Sequence, residues 1–497
     1  MHRFVTRRSL TAGITALYLT ATTARAATCA WPQWADDLRA RLDAMAQNLT
    51  ATLKPWQGPA TIFLPQTYGA TTPLATAAIQ AAIDAAHAAG GGTVRLTQGD
   101  YISGTLDLKS HVRLEVAKGA RLLGSLDLND YPDRIARRPT VMDSNMGMNQ
   151  SLIFAEDCED ISICGEGTID GRGANFHGAE TPHATPGRPF VIRVIDCRRI
   201  HIDGITLLDS PCWMQNYLNC DDLLVENITV ENQANFNNDG IDIDGCRRVI
   251  VRKCYISSGD DALCFKGAAQ TPGEQILVEQ CTFYSSCNAI KFGTDSQSPF
   301  RDVLVRHCEI GGVSDAMRHV KPVGADAGLS WEMVDGGIVE NIQAHDIHIV
   351  RARSPLFLRL EDRARVRPEQ PRPPVGTMRR IVFDRITGED SGPRGSYFIG
   401  IPEKAIEDIA LRHIHIKQRP STKPILNESI IPELKGVYPD AHMIDDISPG
   451  LGGDAPAYAL WTRHVTGVTL IDYKVTPTGP DPRPAFVTTT DSTVCGV

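Results

Sequence analysis

Beyond its first thirty residues this chain nowhere strings together the ~20 apolar residues that a membrane-spanning helix needs, although 42% of its 497 residues are hydrophobic. Positive charge is short as well. Fifty Lys and Arg face 59 Asp and Glu, a formal net charge of -9, which argues against nucleic acid or an anionic membrane as the main partner. A local basic patch could still serve an acidic substrate. None of the 13 cysteines forms a CxxC pair or a Cys/His cluster with zinc spacing, so no metal site is expected. Most cysteines lie inside alternating apolar segments, where a buried thiol is the ordinary reading. Cys29 and Cys495 stand apart near the two ends, and the odd count implies a free thiol or an intermolecular bond. Leucine-rich and WD-type repeat signatures are missing too, which removes two array architectures.

What is present begins with the N-terminus. Arg7-Arg8 precedes a short apolar run from Ala12 to Thr20, and Ala24-Arg25-Ala26 fits a small-residue cleavage site. The pattern predicts an export signal over residues 1–26, similar to a twin-arginine signal. An ordinary secretory signal that carries two arginines is the alternative. Either places the mature chain in the periplasm or outside the cell. Residues 27–64 form an N-terminal segment with a short amphipathic helix over about Asp36 to Leu49. A second, alanine-rich helix ends at Gly90-Gly91-Gly92. Strands follow at Thr93–Leu96 and Asp100–Ser103.

From there a repeat dominates. HVRLEVAKGARLLGS from His111, DISICGEGTIDG from Asp160, RIHIDGITLLDS from Arg199 and DLLVENITVENQ from Asp222 share one design. So do RVIVRKCYISSG from Arg248, QILVEQCTFYSS from Gln275 and DVLVRHCEIGGV from Asp302, with looser copies from Arg380, Asp408 and Gly467. Each is a pair of short strands with period-2 alternation, broken by Gly, Asn or Asp. Cys254, Cys281 and Cys308 take the same slot in three copies, 27 residues apart each time. One unit cannot bury both its faces, whereas stacked units can. The reading is an all-β chain: a single-stranded right-handed parallel β-helix over 65–497, its first coil capped by the alanine-rich helix. The Pro- and Arg-rich stretch 363–377 and the irregular stretch at about 420–456 would flank a groove.

Three carboxylates fall in turns of this repeat. Asp239 lies in Asn237-Asn238-Asp239-Gly240, and Asp260-Asp261 follow Ser258-Gly259 one coil later. Stacking would bring them together, since neighbouring coils lie ~4.8 Å apart. Crowded carboxylates raise at least one pKa, which suits a general acid. Taken singly, each motif is more often a plain turn former; two acid-bearing turns one coil apart favour catalysis. Trp213, Tyr217 and Trp331 are candidates for stacking on sugar rings, Trp213 one coil before Asp239 and Trp331 in a loop, with core packing as the alternative. His307, His345, His348, His413 and His415 read as strand or surface residues.

NNDGIDIDG, SSGDDALCFK and CTFYSSCNAIKFGTDS resemble the active-site coils of glycoside hydrolase family 28, the polygalacturonases and their relatives. The segment AAIQAAIDAAHAAGGGTVRLTQGDYISGTLDLKSHVRLEVAKGARLLGS agrees with the start of that family's fold, and the resemblance extends over roughly residues 65 to 480. It implies an inverting hydrolase with no metal and no cofactor. Asp239 and Asp261 would activate water, Asp260 would protonate the leaving oxygen, and Asn237 would help bind substrate. Two departures stand out. Cys287 falls where the family has a histidine, and Arg359-Leu360-Glu361 would stand for its Arg-Ile-Lys, leaving Glu361 where a lysine grips uronate. Lys291 could supply a replacement cation, unless it lies on the outer solvated face. Cys287 reads as a polar wall residue rather than a nucleophile.

The expected activity is hydrolysis of a pectin-like or other acidic polysaccharide, or of a neutral-sugar linkage within one, by a monomer without nucleic-acid or membrane partners. A β-helix polysaccharide lyase and a non-catalytic carbohydrate-binding β-helix are the rivals.

Overall fold

The structure is a computed structural model. It describes residues 29–140, 149–176, 187–269, 271–312, 324–365, 370–426, 428, 431, 433, 439–441 and 454–496. The predicted export signal lies outside the described residues. Among those described, no helix is long and apolar enough to cross a membrane.

The alternating segments stack coil on coil in parallel register. Each coil contributes a strand to three faces, as Arg198–Asp203, Thr206–Leu208 and Gln215–Leu218 do. The third face is a 12-stranded sheet running from Leu106–Asp107 to Phe486–Thr488. From Phe300–Gly312 onward single long strands span the first and second faces. The architecture is the right-handed parallel β-helix that the repeat predicts. One coil escaped the repeat reading. Ile338–Val350 pairs with Phe300–Gly312 through Val303↔Ile342 and with Thr377–Ser391 through Ile342↔Ile381, each an offset of 39 residues.

Inward columns make the core. On the first face Ile161, Ile200, Leu223, Val249, Ile276, Val303, Ile342, Ile381, Ile409 and Val468 are paired in succession. All are buried, and each such side chain contributes roughly 1.5–3 kcal/mol on leaving water. On the third face Phe265 stacks on Phe292 at 4.9 Å, and Trp331 follows at 5.5 Å. Trp331 thus belongs to the strand Ala325–Met333, not to a loop, and its ring is shut inside the prism. Tyr217 is equally buried, its hydroxyl donating to Gln215 Oε1 at 2.8 Å. Neither ring is open to sugar; period-2 alternation points both inward.

The corners explain the polar breaks in the repeat. Asp160, Arg199, Asp222, Arg248, Gln275 and Asp302 all have φ between 53° and 58°. Short polar residues, Asn and Asp above all, tolerate this left-handed geometry best. The cysteine column works differently. Cys254 and Cys281 are buried at a corner, where the Cys254 amide donates to Cys281 Sγ at 3.4 Å.

The two helices close the stack in different ways. α2 (Thr76–Ala88) buries Ala78, Ile79, Ala82, Ile83 and Ala86 against the first coils. Capping this end removes an open sheet edge. α1 (Gln33–Thr52) instead lies across the outside of the first face. Its Leu38, Leu42, Ala46 and Leu49 pack on the outward row Leu224, Ile250, Leu277, Leu304, Val382 and Ala410. Twenty helical residues span about 30 Å, and six coil steps span about 29 Å. The match lets one helix strap seven coils. The strap starts near the last coils, where Arg412 lies over the Trp31 ring at 4.3 Å. It ends near Arg248, whose Nη2 donates to Thr52 Oγ1 at 3.1 Å. A Cys29–Cys495 disulfide ties its start to the final strand, Val494–Cys495. The other 11 cysteines are free thiols.

Candidate active site

The third-face ladder brings the three acids together. Ile241 pairs with Leu263 and Leu263 with Ile290, so the turns that feed these strands also stack. The Gly240 amide donates to the Asp261 carbonyl at 2.9 Å, the Asp260 amide to Asn238 at 3.3 Å, and the Ala262 amide to Asn288 at 3.0 Å. Two columns result, one of Asp239, Asp261 and Asn288, the other of Asn238, Asp260 and Cys287. Adjacent members sit about 4.8 Å apart along the axis.

Each turn is pinned by neighbours. Asn237 adopts φ 52°, and its Oδ1 accepts from Arg188 Nη2 at 3.0 Å. Asn238 is buried and donates to the carbonyls of Ser210 and Cys212 at 2.7 and 3.0 Å. The Asp260 carbonyl accepts from Ser258 Oγ and Ser285 Oγ, both at 2.6 Å. The acids are therefore presented by rigid backbone rather than by a free loop.

Two buried lysines interleave with the carboxylates. Lys266 Nζ lies 3.2 Å from Asp242 Oδ1 and 3.8 Å from Asp239 Oδ2. It also stands 4.5 Å from the centre of the Trp213 ring. Trp213 is itself buried, edge-on to Phe190 at 5.5 Å. Lys291 Nζ lies 2.6 Å from Asp440 Oδ1, 3.4 Å from Asp261 Oδ2 and 3.9 Å from Glu332 Oε2. Lys291 is inside the site, so the outer solvated face is excluded for it. Asp261 accepts a second contact from Asn288 Nδ2 at 2.7 Å. Both contacts suit a charged carboxylate.

The crowding moves the titrations. Burial, then the adjacent Asp261, raises the Asp260 carboxyl. Asp239 is pushed well up by burial, Asp242 and Asp260, with Lys266 pulling the other way. Burial takes Asp242 to about 7. Glu332 also rises well above the usual carboxyl range through burial, and it shares a hydrogen bond with Asp440. Burial and then Asp260 and Asp261 hold the Cys287 thiol protonated, unlike an activated nucleophile. Asp260, Asp261 and Cys287 bring one donor atom each within 4.8 Å of one another. Lys291 already supplies positive charge beside that group.

Arg359 and Glu361 do not stand next to the acids. The coil after Cys287 is Ala325–Met333, where Ser330 pairs with Lys291. Arg359 lies one coil further, paired with Glu332. It is fully buried, with Nε 3.7 Å from Glu361 Oε2, and burial lowers it to about 10. The side chain that stacking brings to the site is Glu332. Sequence reading also missed Asp242, Lys266 and Asp440. Asp242 and Lys266 were within reach, for they follow Asp239 and Asp261 by three and five residues on the same outward alternation. Asp440 gave no signal, because it arrives from the irregular stretch near 420–456. Tyr397 helps dock that stretch, donating to the Ala441 carbonyl at 3.0 Å.

Comparison with known proteins agrees with this geometry. Residues 100–430 match the family described as glycosyl hydrolases family 28. A Vitis vinifera protein named "Probable polygalacturonase" is 33% identical over 36% of this chain and 37% of its own length. Exopolygalacturonase X-1 of Emericella nidulans is 29% identical over 36% of this chain and 41% of its own length. The matches thus span well under half of these relatives. Among solved structures, an exopolygalacturonase from Thermotoga maritima superposes with a TM-score of 0.63 at 19% identity, covering 76% of this chain and 91% of its own. The polygalacturonase of Erwinia carotovora gives 0.56 at 19% identity, covering 73% and 95%. At such identities these likenesses speak for the shared fold.

Proposed function

The chain belongs to glycosyl hydrolase family 28, and from that premise we propose that it is an inverting glycoside hydrolase acting on a pectin-type polysaccharide. One observation carries the reading. Three carboxylates from two successive coils converge, and they differ in environment. Asp260 is half-buried and shifted toward its protonated form. Asp261 is held by Asn288 and Lys291. That is the division of labour that glycoside hydrolysis needs.

In the proposed step, water attacks the anomeric carbon as the bond to the leaving oxygen breaks. Asp261, with Asp239 beside it, takes the proton of the water, and Asp260 delivers its own proton to the leaving oxygen. Asp239 Oδ1 is buried and has no hydrogen-bond partner among the described residues. A bound water would satisfy it. Asn237 and Trp213 shape the wall, and Cys287 forms the end of the Asp260 column.

Release of new reducing ends from pectic polymers tests the activity. Asp260→Asn should lower turnover by about 10²–10⁴, and the first product should carry inverted anomeric configuration by NMR. Full activity in Asp260→Asn, or retention of configuration, would sink the assignment. We further propose export to the periplasm or beyond, guided by the Arg7-Arg8 segment. The Cys29–Cys495 disulfide supports this, because such bonds persist in oxidising compartments.

A further inference from the structure

We propose that the sugar unit seated over Asp239, Asp260 and Asp261 is uncharged, so that the enzyme cleaves at a neutral unit of an otherwise acidic polymer; this rests on the hydrolase reading above. The argument is one of charge. Around the reacting position lie six carboxyl groups, Asp239, Asp242, Asp260, Asp261, Glu332 and Asp440. Among the described residues two ammonium groups face them. Lys266 is within ion-pair reach of Asp242 and Asp239, and Lys291 of Asp440, Asp261 and Glu332. One proton is shared where Glu332 and Asp440 hydrogen-bond, and one belongs to Asp260 in its acid role. Among the described residues carboxyl groups outnumber ammonium groups six to two, and the Arg359 guanidinium lies one coil beyond Glu332. A uronate carboxylate placed here would meet lysines already engaged by protein acids and would leave further acids unbalanced in a buried setting. Repulsion of that kind discriminates between ligands just as an added contact does.

Surrounding residues point the same way. The half-buried groups that open this cluster to the surface are Asp260 and Cys287, an acid and a protonated thiol. Asn288, Ser286 and Ser330 add neutral polar groups nearby. Asp239 Oδ1, buried and without a hydrogen-bond partner among the described residues, asks for a donor, which sugar hydroxyls supply and a carboxylate does not. Arginines occur further along the stack. Arg353 and Arg394 both stand 3.2 Å from Asp326 Oδ1. The Asp326 amide donates to the Cys287 carbonyl at 2.6 Å. Both guanidiniums are held by Asp326, beside and not at the cleaved position.

The test uses one backbone in three charge states: tetragalacturonate, its methyl ester and its carboxyl-reduced form. With the full chain, kcat/KM should favour an uncharged form over tetragalacturonate by about a hundredfold. The ester and the reduced form then tell an esterified uronate from a true neutral sugar. In Glu332→Gln/Asp440→Asn the gap should narrow roughly tenfold if charge is its cause. Equal or faster cleavage of tetragalacturonate overturns the proposal and leaves the hydrolase reading intact. Calorimetry on Asp260→Asn with the same probes separates the two ideas. Preference for an uncharged form without turnover of any probe by the unmodified chain keeps the charge argument and sinks hydrolysis. Binding of none of the three, or tighter binding of tetragalacturonate, counts against it.

Discussion

The Lys266 ammonium lies 3.2 Å from Asp242 Oδ1, with both side chains buried and the Asp239 carboxylate 3.8 Å away on the other side. Lys266 opposes the upward shift that burial, Asp242 and Asp260 impose on Asp239. Removing the ammonium should raise Asp239 further. Lys266→Met should therefore lose about a hundredfold in kcat, ~2.7 kcal/mol of barrier. The acid limb of the kcat profile should move to higher pH, and Lys266→Arg should recover part of both. A purely structural lysine would lower the yield of folded protein and leave the limb where it was.

Stability should respond to pH in a direction set by the same cluster. Asp239, Asp242, Asp260 and Glu332 are all shifted up, with burial the first cause in each case. The folded protein then keeps protons that the unfolded chain has lost. Stability from these groups falls as pH rises from the usual carboxyl range toward 7 and returns as pH is lowered through that window. For Asp242, moved from 3.8 to about 7, the span corresponds to at most about 4 kcal/mol. An opposing class exists. Glu226 is held down to about 2 by His201 and Arg252, and its contribution is lost only in stronger acid. Melting temperature should peak near about pH 5, and Asp242→Asn should flatten the decline above it. A melting point that climbs steadily to pH 8 would contradict this.

Cys287 should prove dispensable as a nucleophile. Burial, then Asp260 and Asp261, keeps its thiol protonated, and Asn288 Nδ2 approaches its sulfur at 3.3 Å. Cys287→Ala should keep activity within about fivefold, and iodoacetamide should label the position slowly at neutral pH. Loss of all turnover in Cys287→Ala would return the thiol to the mechanism.

The strap should carry measurable stability. Leu42 is fully buried between α1 and the first face. Leu42→Ala should cost about 2–5 kcal/mol by denaturant titration. Reducing the Cys29–Cys495 bond should cost a further ~2–5 kcal/mol. An unchanged midpoint in both experiments would mean that the helix merely rests on the coils.

Much of this was legible in the chain itself. Period-2 alternation, polar corner residues and the 27-residue recurrence of cysteine specify stacked parallel coils, because only stacking buries both faces of such short strands. The acids were legible for the same reason, since Asp239 and Asp260-Asp261 sit at equivalent turns. Their partners were less so. Arg359-Leu360-Glu361 has the look of a binding motif, but a coil stretched to 39 residues intervenes, and stacking puts Glu332 at the site instead. Asp440 comes from a stretch with no periodicity, so nothing local announces where it lands. Trp331 and Tyr217 show the converse. Aromatic residues on an alternating strand go wherever the alternation sends them, here into the core.

The strap also implies an order of events. α1 precedes the coils in the chain, yet the surface it covers is assembled from strands as late as the one holding Ala410, and the disulfide at its start reaches Cys495 in the strand Val494–Cys495. For most of synthesis its leucines have nothing to rest on. The coils can add one upon another as they emerge, each needing only its predecessor. The helix must wait for nearly all of them, so an element that precedes every coil in the chain docks after them, and its docking reports that the stack behind it is complete.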